Sequence, residues 1–309
     1  MKVTFFGVRG SMPAAGAEFA RYGGHTSCVA VAHDGQPPSL VLDAGTGLRR
    51  LAASLGDRAF RGSVLVGHMH WDHVHGMPFF EAGSRPTSRV EVRLPAQEDD
   101  VERVLERMMS PPAFPILPYQ LGPGWSFSAI DEGTQDIERF RVTAREIPHK
   151  GGRTLGYRVE DGRSSLAYLS DHDPRVRGPG PTGLGAHHEA ALELVTGVDL
   201  LVHDATISAD EVPRLGFLGH ACAEYALELG AAAGVGTVAL FHHAYDRTDD
   251  ELDALSQRWC ASRGRAVVAR EGMTVDLPPR GSGTSTDRVV TLPRTALDSH
   301  VHGGREQRQ

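Results

Sequence analysis

The stretch Val66–Gly76, "VGHMHWDHVHG", decides how this chain is read. It continues the apolar run "SVLVGH", which reads as a strand, and it sets His68, His70, Asp72, His73 and His75 within eight residues. In an extended strand exit His68 and His70 alternate so that both imidazoles can point to one side, with Asp72 and His73 following at the turn. A lone histidine is more often structural than a ligand. A cluster of imidazoles with a carboxylate is instead the donor set of zinc, iron or manganese.

Working outward, the same arrangement recurs: an apolar run ends in a ligand-type residue in "REIPHKGG" at His149, "LAYLSDHD" at Asp171, "LLVHDAT" at His203 and Asp204, and "VALFHHAYD" at His242 and His243. Five strand ends carry metal chemistry. In a layered α/β fold such ends lie along one edge, so residues far apart in sequence can build a two-metal centre there. Further strands read from "KVTFFGV", "SLVLDAG", "VEVRL" and "AVVA". Val101, Val104, Leu105, Met108 and Met109 follow helical spacing until Pro111-Pro112 stops them; Leu48, Leu51, Ala52 and Leu55 share one face of a second helix. A third opens with a capping box from Thr248 to Glu251 and buries Leu252, Leu255 and Trp259. Strands crowd the early half without strict alternation, so the expectation is a layered α/β fold with mixed sheets.

A chain of 309 residues, 40% hydrophobic, has ample material for a core. A net charge of −7 and the lack of any Lys/Arg-rich block count against a long nucleic-acid partner and leave it the lesser reading. Cys28, Cys222 and Cys260 show no CxxC spacing and read as reduced, buried thiols of a cytoplasmic protein. No window approaches the roughly 18 apolar residues of a membrane span. From Pro278 the composition turns to Gly, Ser, Pro and Arg, giving a domain over 1–277 and a disordered tail over 278–309, with His300 and His302 solvated and functionless.

The order His68-x-His70-x-Asp72-His73, then one His, one Asp and a final His, resembles the signature of the metallo-β-lactamase superfamily, from Met1 to about Pro278. Within it, "FFGVRGSMP", "RYGGHTSC", "LDAGTG" and "GHMHWDH" resemble the phosphodiesterase branch that includes tRNase Z, the phosphonate-pathway cyclic phosphodiesterase and bacterial cyclic-nucleotide phosphodiesterases. The resemblance implies a four-layer αββα sandwich with two mixed sheets and two divalent metal ions, zinc foremost, manganese or iron as alternatives. It assigns one ion to His68, His70 and His149, the other to Asp72, His73 and His242, with Asp171 bridging. "HDAT" from His203 and "GHAC" from Gly219 are similar to paired His-Glu-Ala-Thr and Gly-His-Ser-Thr motifs of tRNase Z. Carried over, Asp204 orients His220, and His220 protonates the leaving oxygen or contacts phosphate; Asp72 completes the catalytic set. Here Asp204 is one methylene shorter than Glu, and Ala221-Cys222 stands where that motif has Ser-Thr. Asp43, ending "SLVLD", resembles the family's supporting aspartate.

For substrate, Arg9, Lys150 and Arg153 are candidate phosphate contacts, and His75 and His243 are expected to line the pocket beside their ligand neighbours. The segment "MMSPPAFPILPYQLGPGW", with Phe114, Tyr119 and Trp125, forms either an apolar lid or a proline-rich connector packed on the core. An aspartate bridge argues against a β-lactamase, although glyoxalase II-like thioesterases share it. The acidic balance, the missing basic arm and the short Gly/Pro loop after Asp171 favour a small cyclic nucleotide or related cyclic phosphate. The alternatives are a glyoxalase II-like thioesterase or lactonase, a tRNase Z-like RNA 3′-end endonuclease, and a non-catalytic metal-binding member. The branch often forms dimers, which leaves a homodimer open.

Overall fold

The computed structural model describes residues 1–262, 266–277 and 290–291. Six strands come first: β1 (Lys2–Gly7), β2 (Cys28–Ala32), β3 (Leu40–Leu42), β4 (Arg61–Leu65), β5 (Arg89–Pro95) and β6 (Trp125–Ile130). A second set follows: β7 (Gly133–Ile137), β8 (Phe140–Glu146), β9 (Leu155–Glu160), β10 (Ser165–Leu169), β11 (Leu200–Asp204), β12 (Thr237–Phe241) and β13 (Ala266–Val268). The chain then returns with β14 (Thr274–Asp276) and β15 (Val290–Thr291) to the free side of β1.

The sheets run β15-β14-β1-β2-β3-β4-β5-β6 and β13-β12-β11-β10-β9-β8-β7. In both, antiparallel neighbours give way to parallel ones: β3, β4, β5 and β6 pair in parallel, as do β10, β11, β12 and β13. Both sheets are therefore mixed, as expected. Helices α1 (Leu48–Leu55), α2 (Trp71–Val74), α3 (Val101–Met108), α4 (Glu189–Val195), α5 (Val212–Leu215), α6 (Ala223–Ala232) and α7 (Asp249–Ser262) supply the outer layers.

Side-chain alternation distributes the core. In β10, Leu166 and Tyr168 face the other sheet while Ala167 and Leu169 join the helix-covered cluster; in β12, Ala239 and Phe241 face inward while Val238 and Leu240 face out. On the first sheet Leu40 and Leu42 face inward, and Val41 packs outward with Leu48, Leu51 and Leu55 of α1. Two apolar faces per sheet call for four layers, and each large apolar side chain so buried contributes about 1.5–3 kcal/mol. The helix ends match their sequence signals. Asp100 caps α3 by accepting from Glu102 N and Arg103 N, and Thr248 and Glu251 bond reciprocally ahead of α7.

The proline-rich segment is the connector: Phe114 and Trp125 pack against the outer cluster of the first sheet, and Trp125 Nε1 donates to Gly83 O at 2.9 Å. Of the residues expected in a disordered tail, Val290–Thr291 instead pairs antiparallel with β14; His300, His302 and the rest of 278–309 lie outside the described residues. No helix among the described residues is long and apolar enough to cross a membrane.

Candidate metal centre

The exits of β3, β4, β8, β10, β11 and β12 converge on one edge of the sandwich. There Tyr168 of β10 reaches across the inter-sheet core to donate to Asp43 Oδ2 at 2.6 Å, and Tyr157 of β9 donates to Val66 O at 2.7 Å. These two phenols tie the second sheet to the first-sheet exits that carry the ligands. Three residues at this edge, Ser11, Asp43 and His242, hold positive φ angles of 64°, 62° and 57°. Such backbone costs roughly 1–3 kcal/mol each and persists where the surroundings over-determine it, as at a functional site.

Asp171 is the hinge of the geometry. Its Oδ1 lies 3.9 Å from His68 Nε2 and 3.6 Å from His149 Nε2, and its Oδ2 lies 3.1 Å from His73 Nε2 and 3.3 Å from His242 Nε2. The two oxygens of one buried carboxylate thus face two different sets of nitrogens. On one side His68, His70 and His149 bring donor atoms within 4.8 Å of one another; on the other Asp72, His73 and His242 do the same. The structure brings together all seven residues that the resemblance named.

A pair of cations fits these residues on three observations. His73 Nε2 and Asp171 Oδ2 are buried and lack a hydrogen-bond partner, although buried polar atoms are rarely left unsatisfied. Burial pushes His68, His70 and His149 below the usual imidazole range, favouring the neutral form a metal requires. Burial opposes charge on His73 too, yet Asp72, Asp43 and Asp171 raise it well above that range, so the surrounding carboxylates call for positive charge at this point.

Supporting contacts fix the ligands. His73 Nδ1 donates to Asp43 Oδ2 at 2.6 Å, and Asp43 Oδ1 accepts from Gly67 N at 2.7 Å, steadying the His68 loop. Ser11 N donates to Asp72 Oδ2 at 2.7 Å. Thr206 Oγ1 bonds His242 and Asp204 together. Gly10 abuts the His242 ring so closely that a methyl group there would collide with it.

Beside the centre, His220 Nδ1 donates to Asp204 Oδ2 at 3.0 Å and lies 3.6 Å from Asp171 Oδ1. Burial lowers its affinity for a proton, but the charge and hydrogen bond of Asp204 outweigh this and raise its pKa to about 9. A cleft of about 440 Å³ opens over the centre, walled by Met69, Trp71 and Met108 and floored by His70, Asp72, Asp171, His220 and His242. A larger cleft of about 930 Å³, lined in part by Gln97, Arg107, Asp131 and Arg153, contains none of the metal-facing residues.

The expected phosphate contacts are corrected. Arg9 is fully buried, donating to Gly23 O, Arg247 O and Ala244 O beside Asp249, so it braces three loops and meets no ligand. Arg153 points away into ion pairs with Asp131 and Glu146, and Lys150 donates to Phe217 O over that ring. None of the three lines the cleft. Nor do the two neighbouring histidines: His75 is exposed and stacks on Trp71, and His243 is buried, bonded to Ala269 O. Sequence reasoning passed over Trp71, 64% exposed at the rim, although an aromatic between ligands in "HWDH" was a visible signal.

With this geometry in place, comparison gives the class. Residues 39–243 match the family model for a Beta-lactamase superfamily domain, and the chain belongs to that family. It is 24% identical over 317 residues to the Ribonuclease Z of Haloarcula marismortui, covering 88% of this chain and 96% of that one. Among solved structures it resembles the metallo-β-lactamase fold protein YhfI of Bacillus subtilis (TM-score 0.66, 17% identity, 89% and 99% covered). It also resembles Zn(2+)-bound PqqB of Methylobacterium extorquens (TM-score 0.62, 18% identity, 90% and 100% covered). The αββα fold and a metal-dependent hydrolase follow.

Proposed function

We propose that the protein is a dinuclear metal-dependent phosphodiesterase acting on a small cyclic nucleotide or related cyclic phosphate. The observation that carries this reading is the His220–Asp204 pair set beside Asp171. A phosphodiester expels a poorly stabilised alkoxide, which gains from a proton donor next to the reacting phosphorus. When bound, a pair of divalent ions, with zinc the first candidate, supplies Lewis acidity toward the phosphoryl oxygens and makes water easier to ionise. His68, His70 and His149 would hold one ion, Asp72, His73 and His242 the other, and Asp171 both. Asp204 fixes the His220 tautomer, leaving Nε2 to hand its proton to the leaving oxygen. Asp43 keeps His73 oriented, and Met69, Trp71 and Met108 wall the cleft over the centre.

The cleft supports a small substrate, because no Arg or Lys lines it and a long polyanion draws its affinity from such cations. One observation favours a second reading, cleavage of RNA: the relative that aligns over nearly its whole length is a Ribonuclease Z. Both readings place the protein in the cytoplasm. Thioester hydrolysis, which expels a thiolate that leaves readily unprotonated, has no such use for the His220–Asp204 pair.

The test is hydrolysis of bis(p-nitrophenyl) phosphate, of 2′,3′- and 3′,5′-cyclic nucleotides and of a 3′-extended tRNA by zinc- or manganese-loaded protein, beside His68→Ala and His220→Ala. Turnover of a cyclic nucleotide, lost in both variants, is expected. Turnover of the tRNA alone selects the second reading, and phosphodiesters left intact beside rapid thioester cleavage would overturn both.

A further inference from the structure

Two buried histidines, His172 and His203, and a half-buried third, His188, stand outside the metal-facing set and bond one another. His188 caps α4, His172 follows Asp171 at the β10 exit, and His203 precedes Asp204 at the end of β11. Their rings form one continuous chain. Ala191 N–H donates to His188 Nδ1 at 3.4 Å, so the neutral ring carries its proton on Nε2 and donates to His172 Nε2 at 2.8 Å. His172 is then protonated on Nδ1 and donates to His203 Nε2 at 3.1 Å; His203 Nδ1 in turn donates to Asp204 O at 2.8 Å. A single tautomer of each ring satisfies all four bonds, and the direction of the chain is fixed from α4 to β11. Tyr225 packs against both inner rings, at centroid distances of 5.6 and 5.7 Å.

The chain joins the two carboxylates on which the site depends. His172 lies between them: its neighbour is Asp171, its ring bonds the residue before Asp204, and its main-chain N–H donates to Asp204 Oδ2 at 3.1 Å. We propose that His188, His172 and His203 form an imidazole strut that sets the spacing of Asp171 against Asp204, and so of the metal-facing carboxylate against the one that orients His220. These are positioning residues, since none of them lines the cleft. The inference rests on the dinuclear reading of the centre.

The test compares His172→Leu, which keeps bulk and removes both ring bonds, with His172→Asn, whose amide can restore the bond toward His203. Loss of outer partners that orient a metal site costs about 10–100-fold in affinity or activity, so the Leu variant should lose about tenfold or more in kcat. Its KM should change little, and calorimetry should find its weaker zinc equivalent bound about tenfold less tightly. The Asn variant should recover most of both. Wild-type kcat and zinc affinity in the Leu variant, with only a lower Tm, would reduce the strut to packing and overturn the proposal, as would an Asn variant no better than Leu. If His172→Leu does not fold, His188→Ala at the half-buried outer end carries the test: weaker zinc binding and lower kcat support the strut, and wild-type values overturn it. Wild-type protein that binds no zinc would instead overturn the dinuclear reading, and the strut with it.

Discussion

Two histidine clusters lie within one edge of this molecule, and they differ in what their nitrogens face. Nε2 of His68, His149, His73 and His242 faces the oxygens of Asp171, His73 Nε2 is buried and unpaired, and a single ring-to-ring bond joins His68 Nε2 to His70 Nδ1. The nitrogens of His188, His172 and His203 bond one another and two main-chain groups. Burial and residue type are alike in both. The carboxylates and the unpaired atoms make the first cluster a cation site, while satisfied neighbours make the second a piece of framework.

The sharpest break in this comparison comes from ligands. Asp171→Ala or His68→Ala should lower phosphodiester turnover by roughly 10³-fold or more, the scale of losing a group that stabilises transition-state charge. Elemental analysis should show the metal lost as well. His220→Ala should lower kcat by about 10²–10⁴-fold while zinc content holds, because a proton donor is removed and the ligands stay. The loss should shrink for p-nitrophenyl esters, whose leaving group needs less protonation, and an equal loss on alkyl and aryl esters would contradict the assignment. Gly10→Ala, which drives a methyl into the His242 ring, should cost about 10–100-fold in affinity for one metal with little change in fold. Trp71→Ala tests the rim: if a base stacks there, KM for nucleotides rises by the equivalent of about 1–3 kcal/mol while turnover of alkyl phosphodiesters is unchanged.

The smallest expected effect concerns acid. Burial first, then Arg177 and His203, lower the pKa of His188 to about 4. The unfolded chain therefore takes up this proton before the folded one does. Stability from His188 is present above about pH 6.5 and is lost as pH falls toward 4. His188→Leu should flatten the acid limb of a Tm-against-pH curve, and an unchanged limb would show that this ring does not titrate as described.

Much of the fold could be read from local pattern. The nine apolar runs are all strands, because buried strands need near-continuous Val and Leu, while α1 follows its apolar face and α3 and α7 follow their caps and faces. The misses have physical causes. β6 and β7 are edge strands that carry Ser, Thr and Asp on exposed positions, and β9 is interrupted by Gly156 and Arg158. The metal-facing residues were legible because they follow strand exits, Asp72 and His73 within the short helix α2 that comes after β4. Arg9 was misread because the carbonyls of Ala244 and Arg247 that enclose it come from 235 and 238 residues away, which no local pattern reveals. The strut was invisible for the same reason: tautomer and direction exist only once α4, β10 and β11 meet.

The most direct test of the central claim is a calorimetric zinc titration of metal-free protein, wild type beside His242→Ala. Two tight equivalents per chain are predicted for wild type, falling to one in the variant while the site of His68, His70 and His149 still fills. A single tight equivalent in wild type, or two that survive His242→Ala unchanged, would contradict the assignment of Asp171 as the carboxylate shared by two ions.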